Sequence, residues 1–250
     1  MNVEKNFEEY NNAVFLTFDI DWACDDVVNE TLEILKDKNV PATIFVTHDS
    51  PILEKMKENK LIELGIHPNF NNLIDGETNG ISASDIIELI KMIVPNAKAV
   101  RSHSLTQSSR IIDVFGKYGL THEVNLFIPE YSGIILKPYR SFNGIIRVPY
   151  KWEDSAQYLA IERGLETNWD ITRFLDKEGL KVFNFHPIHI FLNTEKSERY
   201  EKSRDVHKDK FKLEKHRNFE DYGSKNFLID LINEVQKRKM EFRKICDIKV

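Results

Sequence analysis

Apolar positions along the first half of the chain follow two periods in turn. Ala13–Ile20 (AVFLTFDI) is a run of β-branched and aromatic residues, as expected of a strand covered on both faces. Asp25–Lys38 follows, with Val28, Leu32 and Leu35 on one helical face. The pair of signals then repeats. Strands are predicted at Pro41–His48 (PATIFVTH), Leu61–His67, Ala97–Ser102 and Gly119–Asn125. Between them lie a helix over roughly 52–59 and one with Ser82 or Ser84 as cap, carrying Ile86, Ile90, Ile93 and Val94 up to Pro95. Another, capped by Thr106, carries Ile111, Ile112 and Phe115. Repeated β–α units of this length predict parallel strands joined by crossover helices.

The second half is less regular. Ile134–Pro138 and Gly144–Pro149 read as short strands around a turn at 141–144. Lys181–His186 (KVFNFH) is a last strand, and Ser224–Glu241 a closing amphipathic helix with Phe227, Leu228, Leu231 and Val235. Thr194–Tyr222 is dense in Lys, Glu, Arg and Asp, and reads as a solvated, mobile excursion. A lid over a site is the second reading. There is no repeat on the scale of twenty to fifty residues and no low-complexity tract.

At 250 residues the chain suits one domain, 1–250, because α/β barrels reach this length as a single unit. A hydrophobic content of 41% can fill a sizeable core. The formal charge of −5 leaves no basic footprint for nucleic acid or an anionic membrane. No run approaches the roughly eighteen apolar residues of a membrane span. Cys24 and Cys246 stand at opposite ends and make no disulfide framework. The N-terminal MNVEKNFEEYNN lacks the apolar core of a signal peptide, so the cytoplasm is the expected location.

Polar residues change the picture most. Asp19, Asp21, His48, His67, His103, His122 and His186 each fall at or just beyond the end of a strand-like run. In a barrel of parallel strands those ends share one face, where the βα loops build the active site. Asp19 and Asp21, at period two, leave the strand on the same side if it persists. Two adjacent acids ionise together at a cost unless a cation lies between them, which suits one carboxylate on a metal and the other accepting a proton. His67 (GIHPNFNN) and His103 (AVRSHSL) are candidate imidazole ligands; Asn69 and Asn71 offer oxygens to a metal or a substrate. Arg101 requires a carboxylate partner if buried, with Asp19 the natural one. His186, fixed by Pro187, is the best general-acid candidate because imidazole titrates near neutrality. His189, His207 and His216 read as structural or surface residues.

LTFDID resembles the first motif of the NodB-type polysaccharide deacetylases (carbohydrate esterase family 4), in the variant with one apolar residue between the acids. PATIFVTH is similar to that family's second strand, the arginine of AVRSHS falls where the family keeps an arginine against its base, and NFHP resembles its last motif. The strings GIHPNF, RSHS, VPYKWED and FHPIHIFLN are similar to those of the WbmS-like subgroup associated with O-antigen gene clusters. The resemblance spans about Ala13 to Asn193. It implies an incomplete, seven-stranded (β/α) barrel, Asp19 as the base that activates water, Asp21 as metal ligand and His186 as the acid that protonates the leaving nitrogen. One departure stands out: the family's second motif has two histidines four residues apart, and here His67 is followed at that spacing by Asn71. Either Asn71 is a weaker ligand or His103 takes the vacant place, and His103 is preferred because nitrogen donors bind transition metals better than amides.

The expected protein is thus a metal-dependent carbohydrate N-deacylase. A divalent ion, zinc favoured, sits on Asp21, His67 and His103, and the catalytic residues are Asp19, His186 and Arg101. Trp152 and Asn69 contact substrate, although barrel core is an equal reading for Trp152. Asp154 is placed to orient Arg101 or a histidine. The expected substrate is an acetylated or formylated amino sugar, nucleotide- or lipid-linked. The rival readings are a C–N hydrolase acting on a small non-sugar amide and an inactive sugar-binding relative.

Overall fold

The computed structural model describes residues 10–21, 23–77, 80–165 and 168–250. The N-terminal stretch 1–9 and Trp22 lie outside the described residues. Strand β1 is Ala13–Asp19, β2 Ala42–Val46, β3 Ile62–Ile66, β4 Ala99–Val100 and β5 His122–Glu123. The remainder are β6 Tyr139–Arg140, β7 Ile146–Arg147, β8 Trp152–Glu153, β9 Lys181–Phe185 and β10 Glu241–Arg243. They form one sheet in the order β6-β7-β5-β4-β3-β2-β1-β9-β8, with β10 beside β1. Every pairing is parallel except β6 with β7.

A single run, 146–153, carries the sheet round from β5 to β9. It pairs with β5 through β7, then places Tyr150 against Phe127, and ends as β8 on β9. With β1 to β5 and β9 it makes the seven positions of an incomplete (β/α) barrel, as the sequence implied. The helices predicted between the strands lie on the outside. Asp25–Asp37, for example, turns Val27, Val28, Leu32 and Leu35 inward.

Strand β1 is buried along its whole length and divides its residues by period two. Val14, Leu16 and Phe18 join the layer under the helices, while Ala13 and Phe15 join a second cluster inside the barrel with Phe45, Val124, Val148 and Tyr150. Thr17 and Asp19 continue that inward series. Glycine at 65 permits the close approach this requires: a Cβ there would lie 2.7 Å from the Phe45 ring and 2.9 Å from the Ala99 carbonyl.

Several predicted boundaries move. Strands β4 and β5 are shorter than expected because side chains take over the ladder: Ser102 N–H donates to Asn125 Oδ1 (2.7 Å) and Asn125 N–H to Glu123 Oε1 (3.0 Å). Ser82 caps the helix Ala83–Ile93 with a capping box, as predicted. The next helix, Ser109–Lys117, is capped by Ser108 rather than Thr106, since His103–Leu105 forms a 3-10 turn first. Ile134–Pro138 is not a strand; its Leu136 carbonyl accepts from Leu180 N–H, and the outer strand of the hairpin is β6.

The largest correction concerns 194–222, which is helical and anchored. It holds Ser197–Ser203 and Lys210–Leu213, each followed by a 3-10 turn, buries Ser203 and Leu213, and ties Arg217 to Glu30 at 2.7 Å. Most of its charges face outward, which is what made it read as a solvated excursion. Among the described residues, no helix is long and apolar enough to cross a membrane.

Candidate active site

The two acids are held by different partners. Asp19, the last residue of β1, points into the barrel and is 3% exposed. Its Oδ1 accepts from Arg101 Nη1 at 3.0 Å and its Oδ2 from Asn184 Nδ2 at 2.8 Å. Arg101, just past β4, is fully buried. Its guanidinium lies between the rings of Phe45 and Tyr150 at 4.7 and 4.6 Å, and donates further to Val124 O, Thr17 Oγ1 and Asn184 Oδ1. The expected pairing of Arg101 with Asp19 is therefore present. Burial pushes the Asp19 carboxyl up, but the charges of Arg101, then His67 and His186, outweigh it and leave it below its ordinary value.

Asp21 has left the strand and sits at φ 43°, a conformation costly for a residue other than glycine and typical of functional sites. Its carbonyl accepts from Thr47 Oγ1, directly after β2. Its Oδ1 lies 3.3 Å from His67 Nε2 and 3.2 Å from His103 Nδ1. Burial opposes its ionisation, yet hydrogen bonds from His103 and His67 and the charge of His186 drive its carboxyl well below the usual range.

These three residues form a group whose ligand atoms all lie within 4.8 Å of one another. Tetrahedral ligands at about 2.1 Å from a zinc ion stand about 3.4 Å apart, close to the separations from Asp21. His67 Nδ1 is buried, lacks a hydrogen-bond partner and lies 3.7 Å from Asp19 Oδ1, so its other nitrogen is the one left to face a ligand. One carboxylate and two imidazoles thus fit a catalytic divalent ion with an open position. Asn71, the other reading, opens the short helix Asn71–Ile74, with its N–H on Asn69 Oδ1 (2.9 Å); among the described residues no hydrogen bond joins it to Asp21 or His67.

His186 stands at the end of β9, with Pro187 starting the next helix. Its Nε2 is 3.8 Å from Asp19 Oδ2 and 3.9 Å from Asp21 Oδ2. Its Nδ1 bonds Asp154 Oδ1 at 2.7 Å, and its N–H donates to Asp154 Oδ2 at 2.8 Å. Burial disfavours the imidazolium, but the Asp154 carboxylate outweighs that and raises the His186 pKa well above its ordinary value. Of the two roles open to Asp154, the structure places it on a histidine.

His189 completes a second group with Asp154 and His186. Asp154 already accepts three hydrogen bonds, two of them at Oδ1, which also takes Ser155 N–H at 2.8 Å. A metal there would compete with the bond that fixes His186 Nδ1, so we read the group as an orienting contact for His186. His189 Nδ1 is bonded to Thr194 Oγ1, and burial pushes its pKa down to about 4.

Other expected residues fall elsewhere. His122 faces the barrel floor, with Nε2 on the Ile248 carbonyl at 3.0 Å, and His48 bonds its neighbour Thr47. Trp152 is 2% exposed and stacked on Phe227 at 4.3 Å within the layer under the helices. It is core, with no ring face open to a sugar. Asn69 is exposed beside Pro68 on the loop after β3. Sequence reasoning missed Asn184, which bridges Asp19 and Arg101; the only hint was one amide between Phe183 and Phe185 of a buried strand.

An incomplete barrel with an acid pair, an arginine and histidines gathered at the strand ends defines the polysaccharide-deacetylase class. The profile of the WbmS-like polysaccharide deacetylases matches residues 16–204, and the chain belongs to that family. Its structure is similar to that of a Bordetella bronchiseptica protein (WbmS) assigned as a polysaccharide deacetylase involved in O-antigen biosynthesis. The two share 37% identity over 94% of this chain and 95% of that one, with a TM-score of 0.85. At 12% identity, a 4-alpha-glucanotransferase from Thermococcus litoralis shares the fold alone, over 95% of this chain and 38% of that one, at a TM-score of 0.51. A family 4 carbohydrate esterase from Streptomyces lividans aligns at 14% identity over 92% and 90% of the two chains, with a TM-score of 0.47. The search of curated proteins found no match.

Proposed function

We propose that the protein is a metal-dependent hydrolase that removes an N-acetyl or N-formyl group from an amino sugar in surface-polysaccharide biosynthesis. The observation that carries this reading is the division of partners between two neighbouring acids: Asp21 faces two imidazoles, Asp19 faces a guanidinium, and His186 Nε2 stands within 3.9 Å of both. Membership of a deacetylase family, and similarity to a protein assigned to O-antigen biosynthesis, supply the substrate class.

Asp21, His67 and His103 would hold the ion, with zinc favoured by the two nitrogen donors. When bound, it supplies Lewis-acid polarisation of the acyl carbonyl and of water. The protein's own groups handle the protons. Asp19, kept ionised by Arg101 and Asn184, accepts a proton from the attacking water. His186 uses Nδ1 on Asp154 and presents Nε2, protonated, to the departing nitrogen. Water and amide become a carboxylic acid and an amine. Asn69, exposed on the loop after β3, remains the proposed substrate contact on that side.

Protein loaded with zinc should release amine from UDP-linked N-acetyl or N-formyl amino sugars, and chelation should abolish it. Elemental analysis should find about one equivalent of metal. His67→Ala, His103→Ala and Asp21→Asn should each lower occupancy, while Asn71→Ala retains it. Metal-replete protein that binds such sugars without cleaving them would favour an inactive relative instead.

A further inference from the structure

The segment 194–222 leaves and rejoins the barrel through one clasp. Asn193, at φ 51°, gives its Nδ2 to the carbonyls of Asn218 and Asp221 and to Asn226 Oδ1, and its Oδ1 accepts Lys225 N–H. Asn218 returns the contact to Asn193 O at 3.0 Å, and Thr194 O accepts from Ser224. A segment pinned at both ends in this way holds its inward side chains at fixed places.

One of these is Tyr200. Its ring lies 4.8 Å from His189 and 4.8 Å from His207, with the Arg204 guanidinium 5.9 Å away. His189 in turn packs against His186 at 5.5 Å. The ring is therefore fixed by its neighbours, and what remains for it to offer is its tip. Among the described residues the Tyr200 hydroxyl has no hydrogen-bond partner, and it is not sealed from solvent. Through His189, which packs against both rings, Tyr200 stands one ring away from His186, at the acid end of the site. Burial, then Asp21, hold its pKa up, so it stays a donor.

Resting on the function proposed above, we propose that Tyr200 is a specificity-determining residue whose hydroxyl donates a hydrogen bond to an oxygen of the sugar on the side where the amine departs. The segment 194–222 is then a fixed wall of the substrate cleft. Tyr200→Phe keeps the ring packing and removes only the donor.

The test compares wild type and Tyr200→Phe on two probes. One is UDP-N-acetylglucosamine with its N-formyl counterpart; the other is p-nitrophenyl acetate, which has an acyl group and no sugar. KM for the sugar cleaved by the wild type should rise about three- to tenfold, the worth of one hydrogen bond. Its kcat, and the hydrolysis of p-nitrophenyl acetate, should stay within about twofold. An unchanged sugar KM overturns the inference while leaving the proposed function intact. So does an equal loss on both probes, which would show Tyr200 acting on the catalytic groups through His189. A wild type that cleaves p-nitrophenyl acetate but neither sugar overturns the proposed function, and this inference with it.

Discussion

Replacing Asp19 with asparagine separates stability from catalysis at one buried position. The carboxylate is 3% exposed and its partner Arg101 is fully buried, so the substitution leaves an unmatched guanidinium inside the barrel. Breaking a buried pair by removing one partner costs about 3–5 kcal/mol. Arg101 keeps Val124 O, Thr17 Oγ1, Asn184 Oδ1 and two ring faces, which puts the loss at the low end, about 3 kcal/mol. In urea unfolding this is a midpoint shift of about 1 M at a slope of about 3 kcal/mol/M. The pH dependence fixes the cause. Burial raises the Asp19 carboxyl, but the charges of Arg101, His67 and His186 together outweigh it, so its folded pKa is depressed. Its stabilisation is complete above about pH 4 and is lost as the pH falls through the folded value. The gap between wild type and Asp19→Asn should accordingly be full at pH 7 and shrink in more acidic solution. Turnover should fall by about two to four orders of magnitude with metal content unchanged. Asp19→Asn combined with Arg101→Met should recover stability without recovering activity. A metal-loaded Asp19→Asn protein with near wild-type turnover, or a stability gap that does not shrink at all as the pH falls below the ordinary carboxylate range, would refute the reasoning.

Three further outcomes follow from the packing. His189 is held neutral with a pKa near 4, whereas the unfolded chain takes up that proton near pH 6.5, so stability should drop by about 3 kcal/mol as pH falls across that interval. His189→Gln should flatten that limb in urea titrations, and an unchanged limb would assign it to another group. Trp152→Ala should cost about 3–5 kcal/mol in denaturant unfolding, while the more conservative Trp152→Phe should leave KM for the sugar unchanged. A raised KM in Trp152→Phe would reinstate the sugar-stacking role. A Cβ at Gly223 would stand 2.2 Å from the Asn193 carbonyl, so Gly223→Ala should open the clasp. Amide exchange across 194–222 should then accelerate more than in β1 and β9, and equal acceleration would show the clasp to be part of the global fold.

The barrel was legible because its signal is periodic and its strands are covered on both faces. Val14, Leu16 and Phe18 on one side of β1 and Ala13, Phe15, Thr17 and Asp19 on the other obey one rule, and an acid closing the inward series points at the mouth. What periodicity does not carry is the point where a strand ends. Strand β5 begins at His122 instead of closing near it, so a residue read as lying at the mouth belongs to the floor. Strand β8 is two residues long, too short for alternation to say which way Trp152 faces, and it faces the helices. In 194–222 the 3-10 turns break the helical spacing of Tyr200, Ser203, Val206 and Leu213, so no amphipathic face announced that the segment packs.

The histidine missing at position 71 shows where spacing and topology part. A second histidine four residues after His67 would sit in the first turn of the helix Asn71–Ile74, reaching the mouth from the same loop. His103 arrives from the next strand over, because β4 pairs with β3 through Val100 and Ile66 and its exit loop ends up beside His67. Ser104 and Leu105 then take φ values of 54°, turning the chain away directly after the imidazole. Two residues in that region are costly, and such cost persists only where the surroundings over-determine it. Neighbouring strands of a parallel barrel deliver their ends to one place, so the donor's position in the sequence is free to change while its position at the mouth is conserved by the fold. With His103 as the proposed ligand, a motif defined by spacing misses that substitution; the order of strands around the barrel does not.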